Sequence, residues 1–575
     1  MDRRTLLALV LMALVIVLTP MIFPSKRPAP RIDTTAASVA TNGANATPQT
    51  ASVKDTTHVA TASQLPENTI APARGAPNAT GAPNAPGATP VRRPADSTVV
   101  ATAAARYTIV SPGAAPSRVL IPGYRNLRPG RRDSVVIATP TGPLLRYRVA
   151  MGRDTIDLDT VSFTAQPSGN GVTFVATSPA ISITYAPEAK DPYRVAVRGT
   201  FANAPAGSAL LIDLPNSLNS SEADTLDDFR HLAYGYKEPL RDVTSVPFSK
   251  LDSGAVRVDT ASMQWVAARN KYWLVALMKP VGTPPGAAFH GLISRGGPRI
   301  AKIARSASAT TVHPLTNGQV AFDLYVGPQS FQELHALGND LENVNPYAGW
   351  LHAIVQPFAT IVMRILLWMK ATLRLNYGWV LVLFGVLIRL ILWPLNQKAM
   401  RTSIQMQRLQ PELQEVQKRY KDDPAKQRDA LVKLYQEHGM SPISPMLGCL
   451  PMLLPMPVLF ALYFVFQNTI EFRGVSFLWL PDISLRDPYY ITPIVMGLSM
   501  FVLSWIGMKG SPPNPQTKMM SYMMPVMFTV MFLNFAAGLN LYYLVQNIAA
   551  LPQQWVLTKE RAKAGVGTPP AKRRA

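Results

Sequence analysis

At 575 residues the chain has room for several domains, and its 48% hydrophobic content is ordinary. The distribution is not, because apolar runs cluster at the extreme N-terminus and after residue 350, with a polar middle between them. The net charge of +22 points to anionic lipid or RNA nearby, and the single cysteine, Cys449, excludes an intrachain disulfide.

Residues 1–23 open with Arg3 and Arg4 and continue as a nearly uninterrupted apolar stretch. It is long enough to cross a bilayer core and is read as an uncleaved transmembrane anchor; a signal cut after AASVA at 36–40 is the alternative. Residues 24–106 carry no aromatic residue before Tyr107 and consist mainly of Ala, Thr, Pro, Asn, Gly and Ser. Such a segment cannot bury enough apolar surface to fold, so a disordered tether is expected there.

From Tyr107 the character changes. Runs such as SVVIATP, LLRYRVAM, ISITYAP, YWLVALM and VAFDLYVG recur between Pro, Gly, Asn and Asp clusters, which predicts a large antiparallel β-sandwich over 107–345. His231, His290 and His313 are widely spaced, so no metal site is expected, and no cofactor. PQSFQELHALGNDL at 328–341 reads as a helix closing this domain. Residues 346–376 are apolar but hold His352, Pro357, Arg364 and Lys370, with Trp350 and Trp368 near the ends. That pattern suits an amphipathic helix lying in the outer interface.

The next stretch, 377–395, contains WVLVLFGVLIRLILWPL and is a transmembrane span with Arg389 inside it. An arginine at that depth costs about 2.5 to 3.5 kcal/mol on insertion scales and marks a functional site by default. The remaining spans, within 446–557, contain no Asp, Glu, Lys or Arg apart from residues flanking them, namely Lys509 and Lys518, and Glu471 to Asp487 in the outer loop. Arg389 therefore lacks a carboxylate in its own bundle, and a wet groove open to an incoming ligand is expected.

Residues 396–445 form a charged helical hairpin. Leu409, Leu413, Val416 and Tyr420 make one helical stripe, Asp423 and Pro424 start a second helix, and Leu431, Leu434 and Tyr435 make its stripe. Four further spans follow at 446–557, with a tight turn AAGLN at 536–540. The last presents Asn540, Tyr543, Asn547 and Gln554 at 0, 3, 7 and 14, with Tyr542, Gln546 and Gln553 beside them. A polar stripe of that width belongs in the bundle interior, serving either interhelical hydrogen bonds or the groove of Arg389. The candidate groove residues are Arg389, Asn534, Asn540, Tyr542, Tyr543, Gln546 and Asn547.

Placing the N-terminus, the hairpin, the loop from Lys509 to Lys518 and the basic tail at 558–575 inside puts 19 basic residues there, against Arg473 and Arg486 in the short outer loop. The fold class is thus a multi-domain membrane protein: N-terminal anchor, periplasmic β-sandwich and α-helical five-span bundle with a cytoplasmic helical hairpin.

The order of these parts, with YGWVLVLFGVLIRLILWPLNQKAM, MQRLQPELQEVQKRY followed by DDPAKQ, GCLPMLLPMPVLFALY, DPYYITPIVMG and MMPVMFTVMFLNFAAGLNLYYLVQN, resembles the YidC membrane protein insertases of Gram-negative type, relatives of the mitochondrial Oxa and chloroplast Albino proteins. WVAARNKYWLVALMKP and LYVGPQSFQELHALG look like that family's outer domain, so the motifs cover about residues 260–557. The resemblance implies that Arg389 attracts polar or acidic outer segments of a nascent membrane protein, that the hairpin captures substrate, and that Tyr542 or Tyr543 lies where substrate passes. Gly385, one turn before Arg389, stands where some relatives carry a hydroxyl residue. The implied partners are nascent membrane proteins, the Sec translocon, the ribosome and anionic lipid, but not DNA, in an inner-membrane setting with both termini cytoplasmic. No catalytic motif such as HExxH or GxSxG occurs in the spans, so enzymatic chemistry is not expected. The alternative function is a secondary transporter, against which the absence of an intramembrane carboxylate counts.

Overall fold

The computed structural model describes residues 96–283, 286, 288–300, 303–345, 352–420, 423–438, 456–509 and 515–563. The expected anchor at 1–23, most of the tether, Cys449, the start of the third span and the end of the basic tail lie outside the described residues.

Ordered structure begins earlier than expected. The DSTVVA run at Asp96–Ala101, inside the stretch read as tether, is a strand paired antiparallel with Arg106–Ser111. It has no aromatic residue, but it is rich in β-branched side chains and plants Val100 in the core beside the buried Tyr107. These two strands, Ala115–Arg125 and Ser134–Ala138 form a four-stranded meander. Behind it stand a nine-stranded and a six-stranded antiparallel sheet, the body of the sandwich. The centre of the nine-stranded sheet runs through Trp265–Arg269, Trp273–Met278, Gln319–Pro328 and Arg194–Phe201.

Period-two alternation holds in flanking strands such as Ala307–Pro314, where every second residue is buried. It fails in Trp273–Met278, which is buried along its whole length because both faces are covered. A short helix, α1 (Thr225–Arg230), bridges two strands, and α2 (Phe331–Leu337) follows the last strand, shorter than the 328–341 expected.

The helical part begins with α3 (His352–Leu373). Gln356 near its start hydrogen-bonds Asn343 at 2.8 Å, and Arg364 in its middle stacks on Phe331. Lys370 near its end reaches the Leu375 carbonyl at 2.7 Å, next to the start of the following helix. Both ends of α3 therefore lie on the sandwich side, and its inner face, including Ala359, Met363 and Leu366, enters the bundle core.

Next comes α4 (Tyr377–Arg419), one continuous helix of 43 residues, so the expected boundary at 395 between span and hairpin is not a structural break. Pro394 and Asn396, residue types that often mark a helix boundary, are carried inside this helix, because the residues on both sides of them are mostly good helix formers. Then follow α5 (Pro424–Glu437), α6 (Met456–Asn468), α7 (Ile491–Met508), α8 (Pro515–Phe532) and α9 (Ala537–Lys563). Among the described residues two helices are long and apolar enough to cross a membrane, Tyr377–Lys398 and Ile491–Met508, and Ser521–Phe532 is a shorter apolar one. The turn between α8 and α9 falls at 533–536, ahead of the expected 536–540. Asn540 explains the shift: its Nδ2 donates to the Phe532 carbonyl at 3.2 Å, satisfying one of the acceptors left free where α8 ends.

The loop after α6 joins the two regions. Ile470 belongs to the sandwich core and Phe472 to the bundle core. Arg473 is buried against Glu222 at 2.8 Å, donates to the Arg125 and Ser221 carbonyls, and lies over the Trp273 ring. The same loop receives the starts of α4 and α9, through Asn376 to the Ser476 carbonyl and the Ala537 amide to the Leu485 carbonyl. The opposite end of the bundle carries the Arg401–Glu560 pair at 3.1 Å, joining the extension of α4 to that of α9.

Candidate functional site

Along α4, Arg389 lies twelve residues from the helix start, about 18 Å at the α-helical rise, near the middle of a hydrocarbon layer about 30 Å thick. Its neighbours on the outward face, Leu390 and Ile391, are each 60% exposed. Ile494, Leu498 and Val502 on α7 and Met523, Val526 and Val530 on α8 continue an apolar exterior too extensive for a water-soluble surface. At the end of the bundle away from the sandwich, Lys509 sits over Trp505 at 3.6 Å and Lys559 over Trp555 at 3.3 Å, the aromatic and basic pairing suited to an interface.

The side chain of Arg389 turns inward. Its Nη2 donates to Oε1 of Gln553 on α9 at 2.9 Å, while its buried Nε has no hydrogen-bond partner. Among the described residues it forms no ion pair. Gln553 is itself fixed, because its Nε2 donates to the Trp393 carbonyl at 3.3 Å and to Gln397 at 3.4 Å. One turn before the arginine, Gln546 donates to the Gly385 carbonyl at 2.6 Å. A Cβ at Gly385 would stand 3.0 Å from Cγ1 of Val545 and 3.6 Å from the Tyr542 ring, so the missing side chain is what lets α4 approach α9 there. The Tyr542 hydroxyl, close to Gln546 and to the Arg389 charge, is buried and makes no hydrogen bond of normal geometry.

The polar residues of α9 thus divide between two neighbours. Tyr542, Gln546 and Gln553, at 0, 4 and 11, face α4 and gather around Arg389. Asn547 faces α7, donating to Ser499 at 3.0 Å, and Tyr543 packs edge-on against Phe532 of α8 with centroids 5.3 Å apart. Asn540 caps α8. Asn534 is exposed in the sandwich-side turn and lines a cleft of about 880 Å³ with Arg486, Phe535, Tyr463 and Lys271, at the far end of the helices from Arg389. Of the seven expected groove residues, three come together: Arg389, Tyr542 and Gln546. The residue that holds the guanidinium, Gln553, was outside that set, although its place seven residues after Gln546 puts it on the same helical face.

The stripes of the charged segment also meet. Asp423 accepts from the Lys426 amide at 3.1 Å and caps α5 with Pro424 in its first turn. Gln427 reaches the Gln417 carbonyl at 3.3 Å, and His438 lies 3.7 Å from Glu412, so α5 folds back along the end of α4. Leu409 is buried, whereas Leu413, Val416, Tyr420, Leu431, Leu434 and Tyr435 remain partly exposed.

Among the described residues no three His, Cys, Asp or Glu side chains converge as a metal centre would require. Residues 100–361 match the family model described as YidC periplasmic domain, and residues 368–564 the model described as 60Kd inner membrane protein. The chain is 33% identical over 373 residues to a membrane protein insertase YidC of Chlorobaculum tepidum, covering 62% of this chain and 61% of that one. It is 36% identical over 302 residues to one of Geobacter metallireducens, covering 52% and 53%. The matches thus span between about half and three fifths of those relatives' length. A crystal structure described as an active YidC insertase with the first transmembrane domain resolved is similar at 19% identity and a TM-score of 0.33, over 80% of this chain and 92% of that one, too loose a superposition to build on.

Proposed function

The chain belongs to the YidC family of inner membrane proteins, and from that premise we propose that it inserts nascent membrane proteins by lodging their polar segments in a groove around Arg389. The observation that carries this reading is a guanidinium within an apolar stretch of helix, held by one neutral amide, with an unpartnered Nε and, among the described residues, no carboxylate paired with it. A charge kept in that state is supported by polar side chains alone and retains attraction for an acidic segment.

No bond chemistry is needed. A substrate must carry a polar stretch across about 30 Å of hydrocarbon, and the path is shortened if hydrogen-bonding groups meet it midway. Arg389, Gln546, Gln553 and the Tyr542 hydroxyl are those groups. The released helix then partitions into lipid through its own apolar surface. In this reading the α4–α5 hairpin lies in the cytoplasm, where its half-covered stripes meet nascent chains and the ribosome. The basic residues beside Trp505 and Trp555 contact anionic lipid, five spans follow the periplasmic domain, both termini are cytoplasmic, and the Sec translocon is a partner. Asn540, Tyr543 and Asn547 hold helices together in this account and do not touch substrate.

The test compares Arg389→Ala and Arg389→Lys in cells depleted of other insertases. Clients with acidic outer segments should insert at least about ten-fold less well with the alanine variant, a loss of about 1.4 kcal/mol or more in the barrier, and nearly normally with lysine. Equal insertion by wild type and Arg389→Ala overturns the assignment.

A further inference from the structure

The polar residues of α9 that meet α4 recur at every seventh position. Gln546 donates to the Gly385 carbonyl at 2.6 Å, Gln553 accepts from Arg389 at 2.9 Å, and Glu560 pairs with Arg401 at 3.1 Å. Seven residues make about two helical turns, so the three stand in one row along the seam between the helices. Twice in this row an arginine of α4 meets a residue of α9. At the exposed end of the seam the partner is a carboxylate, and the ion pair is closed. Within the apolar stretch Tyr377–Lys398 the partner is the uncharged amide of nearly the same shape.

The Gln553 amide is locked in one orientation. It is 1% exposed, and its Nε2 donates to the Trp393 carbonyl at 3.3 Å and to Gln397 at 3.4 Å. A reversed amide would set its oxygen against the Trp393 carbonyl and its NH2 group against the guanidinium. The contact therefore fixes where Arg389 points without neutralising it. It uses Nη2 only, while Nε, the other donor on that edge of the guanidinium, is buried and unpartnered. In the sandwich, Arg148 shows the same edge filled, with Nε and Nη2 both on the carboxylate of Asp213, at 3.2 and 2.6 Å. One amide oxygen leaves such an edge half used; a carboxylate takes both donors.

We propose that Gln553 sets the charge preference of the groove: it positions Arg389 through a neutral oxygen, and the carboxylate of a passing client segment completes the Nε–Nη2 edge. The inference rests on the insertion reading above and adds to it a specificity-determining residue on α9. Preference for an acidic over a neutral segment is a difference of affinities, and it persists only while the guanidinium has no counter-charge of its own. Gln553→Glu closes the pair, as Glu560 does at Arg401, and an incoming carboxylate then meets a neutral couple.

The experiment uses the full chain in cells depleted of other insertases, with two clients that differ only by Asp or Asn in the translocated outer segment; the quantity read is the ratio of acidic to neutral insertion. Gln553→Glu should lower that ratio at least about ten-fold while the neutral client stays within about two-fold of wild type. Gln553→Met, of similar length, removes the tether but adds no charge, and should lower the ratio no more than about two-fold. Gln397→Glu places a carboxylate behind the Gln553 amide, farther from the guanidinium, and should lower the ratio about two- to three-fold; it carries the test if Gln553→Glu fails to accumulate. An unchanged ratio in a stably present Gln553→Glu, or in Gln397→Glu where the first variant is absent, overturns the proposal. An equal fall in Gln553→Met and Gln553→Glu also overturns it, because the hydrogen bond and not the charge would then matter. Arg389→Ala separates the two levels: a wild-type ratio in that variant defeats the groove reading itself, whereas a flattened ratio there with an unchanged one in Gln553→Glu defeats only the role of Gln553.

Discussion

In the sandwich, Asp323 is buried between Arg194 at 3.2 Å and Arg198 at 3.3 Å, whereas Arg269 is buried on neutral acceptors, the His231 carbonyl at 3.1 Å and the Ser245 hydroxyl at 3.4 Å. In the bundle, Arg389 has the amide of Gln553 and, among the described residues, nothing of opposite sign. The surfaces differ too: the sandwich exposes scattered aliphatic side chains such as Leu240 and Val258, while α4, α7 and α8 expose continuous apolar faces. One region is therefore built to be finished in water. The other has an exterior suited to lipid and, in the proposed reading, an interior completed by a visiting chain. A buried charge on neutral partners occurs in both settings, as Arg269 shows, but Arg389 stands in a helix whose other side is an exposed apolar face, and in the proposed reading a substrate completes it.

The comparison sharpens most at Arg473, the arginine that behaves by the sandwich's rules although it sits on the bundle's loop. Arg473→Ala leaves Glu222 buried and uncompensated, and a loss of about 3 to 5 kcal/mol is expected, read from denaturant or thermal unfolding. Arg389→Ala should cost less than about 1 kcal/mol by the same measurement, since it removes a buried charge rather than orphaning one. Similar losses for the two variants would erase the distinction.

Next in size is a pH effect confined to the sandwich. Asp228 is buried, accepts from Asn270 at 3.1 Å and from the Lys271 amide at 3.1 Å, and burial pushes its carboxyl up to about 7. The native state then holds a proton that the unfolded chain releases near pH 4, so stability is greatest below that pH and falls as pH rises toward 7. The contribution is about 2 to 4 kcal/mol over that window, and Asp228→Asn should flatten it. A sandwich whose unfolding midpoint rises between pH 4 and 7 through this residue would contradict the assignment.

Smaller again is Gly385→Ala. The added Cβ meets Val545 at 3.0 Å, so α4 must retreat by a few tenths of an ångström from α9, at a cost of about 1 kcal/mol and with a weakened bond from Gln546 to the Gly385 carbonyl. Disulfide crosslinking between α4 and α9 should slow, whereas a glycine in an open sandwich turn such as Gly130 has no such neighbour to disturb. The smallest effect on stability is expected at the hairpin. Replacing 401–440 by a Gly/Ser linker removes half-buried stripes and an exposed ion pair, worth together at most about 1 kcal/mol. Nascent-chain crosslinks near Arg389 should nevertheless decline; unchanged crosslinks at normal expression would make the hairpin a spacer.

Much of this was legible from residues alone. An arginine in an apolar run is visible without coordinates because its cost depends on the surrounding solvent and not on its neighbours, and Asp423 and Pro424 announce a helix start because capping is local. The order of sandwich, spans and hairpin follows from the period of the hydrophobic pattern. What tertiary structure alone decided is which neighbour each polar residue meets. Periodicity says that α9 turns a polar stripe inward, but two helices share that interior, so Tyr542, Gln546 and Gln553 meet Arg389 while Tyr543 and Asn547 meet α8 and α7. The same holds for Trp273–Met278, where covering of the second face cancels alternation, and for Arg473, which meets Glu222 from a distant part of the chain. A sequence fixes what each residue will pay to be buried; the packing of distant segments fixes beside whom.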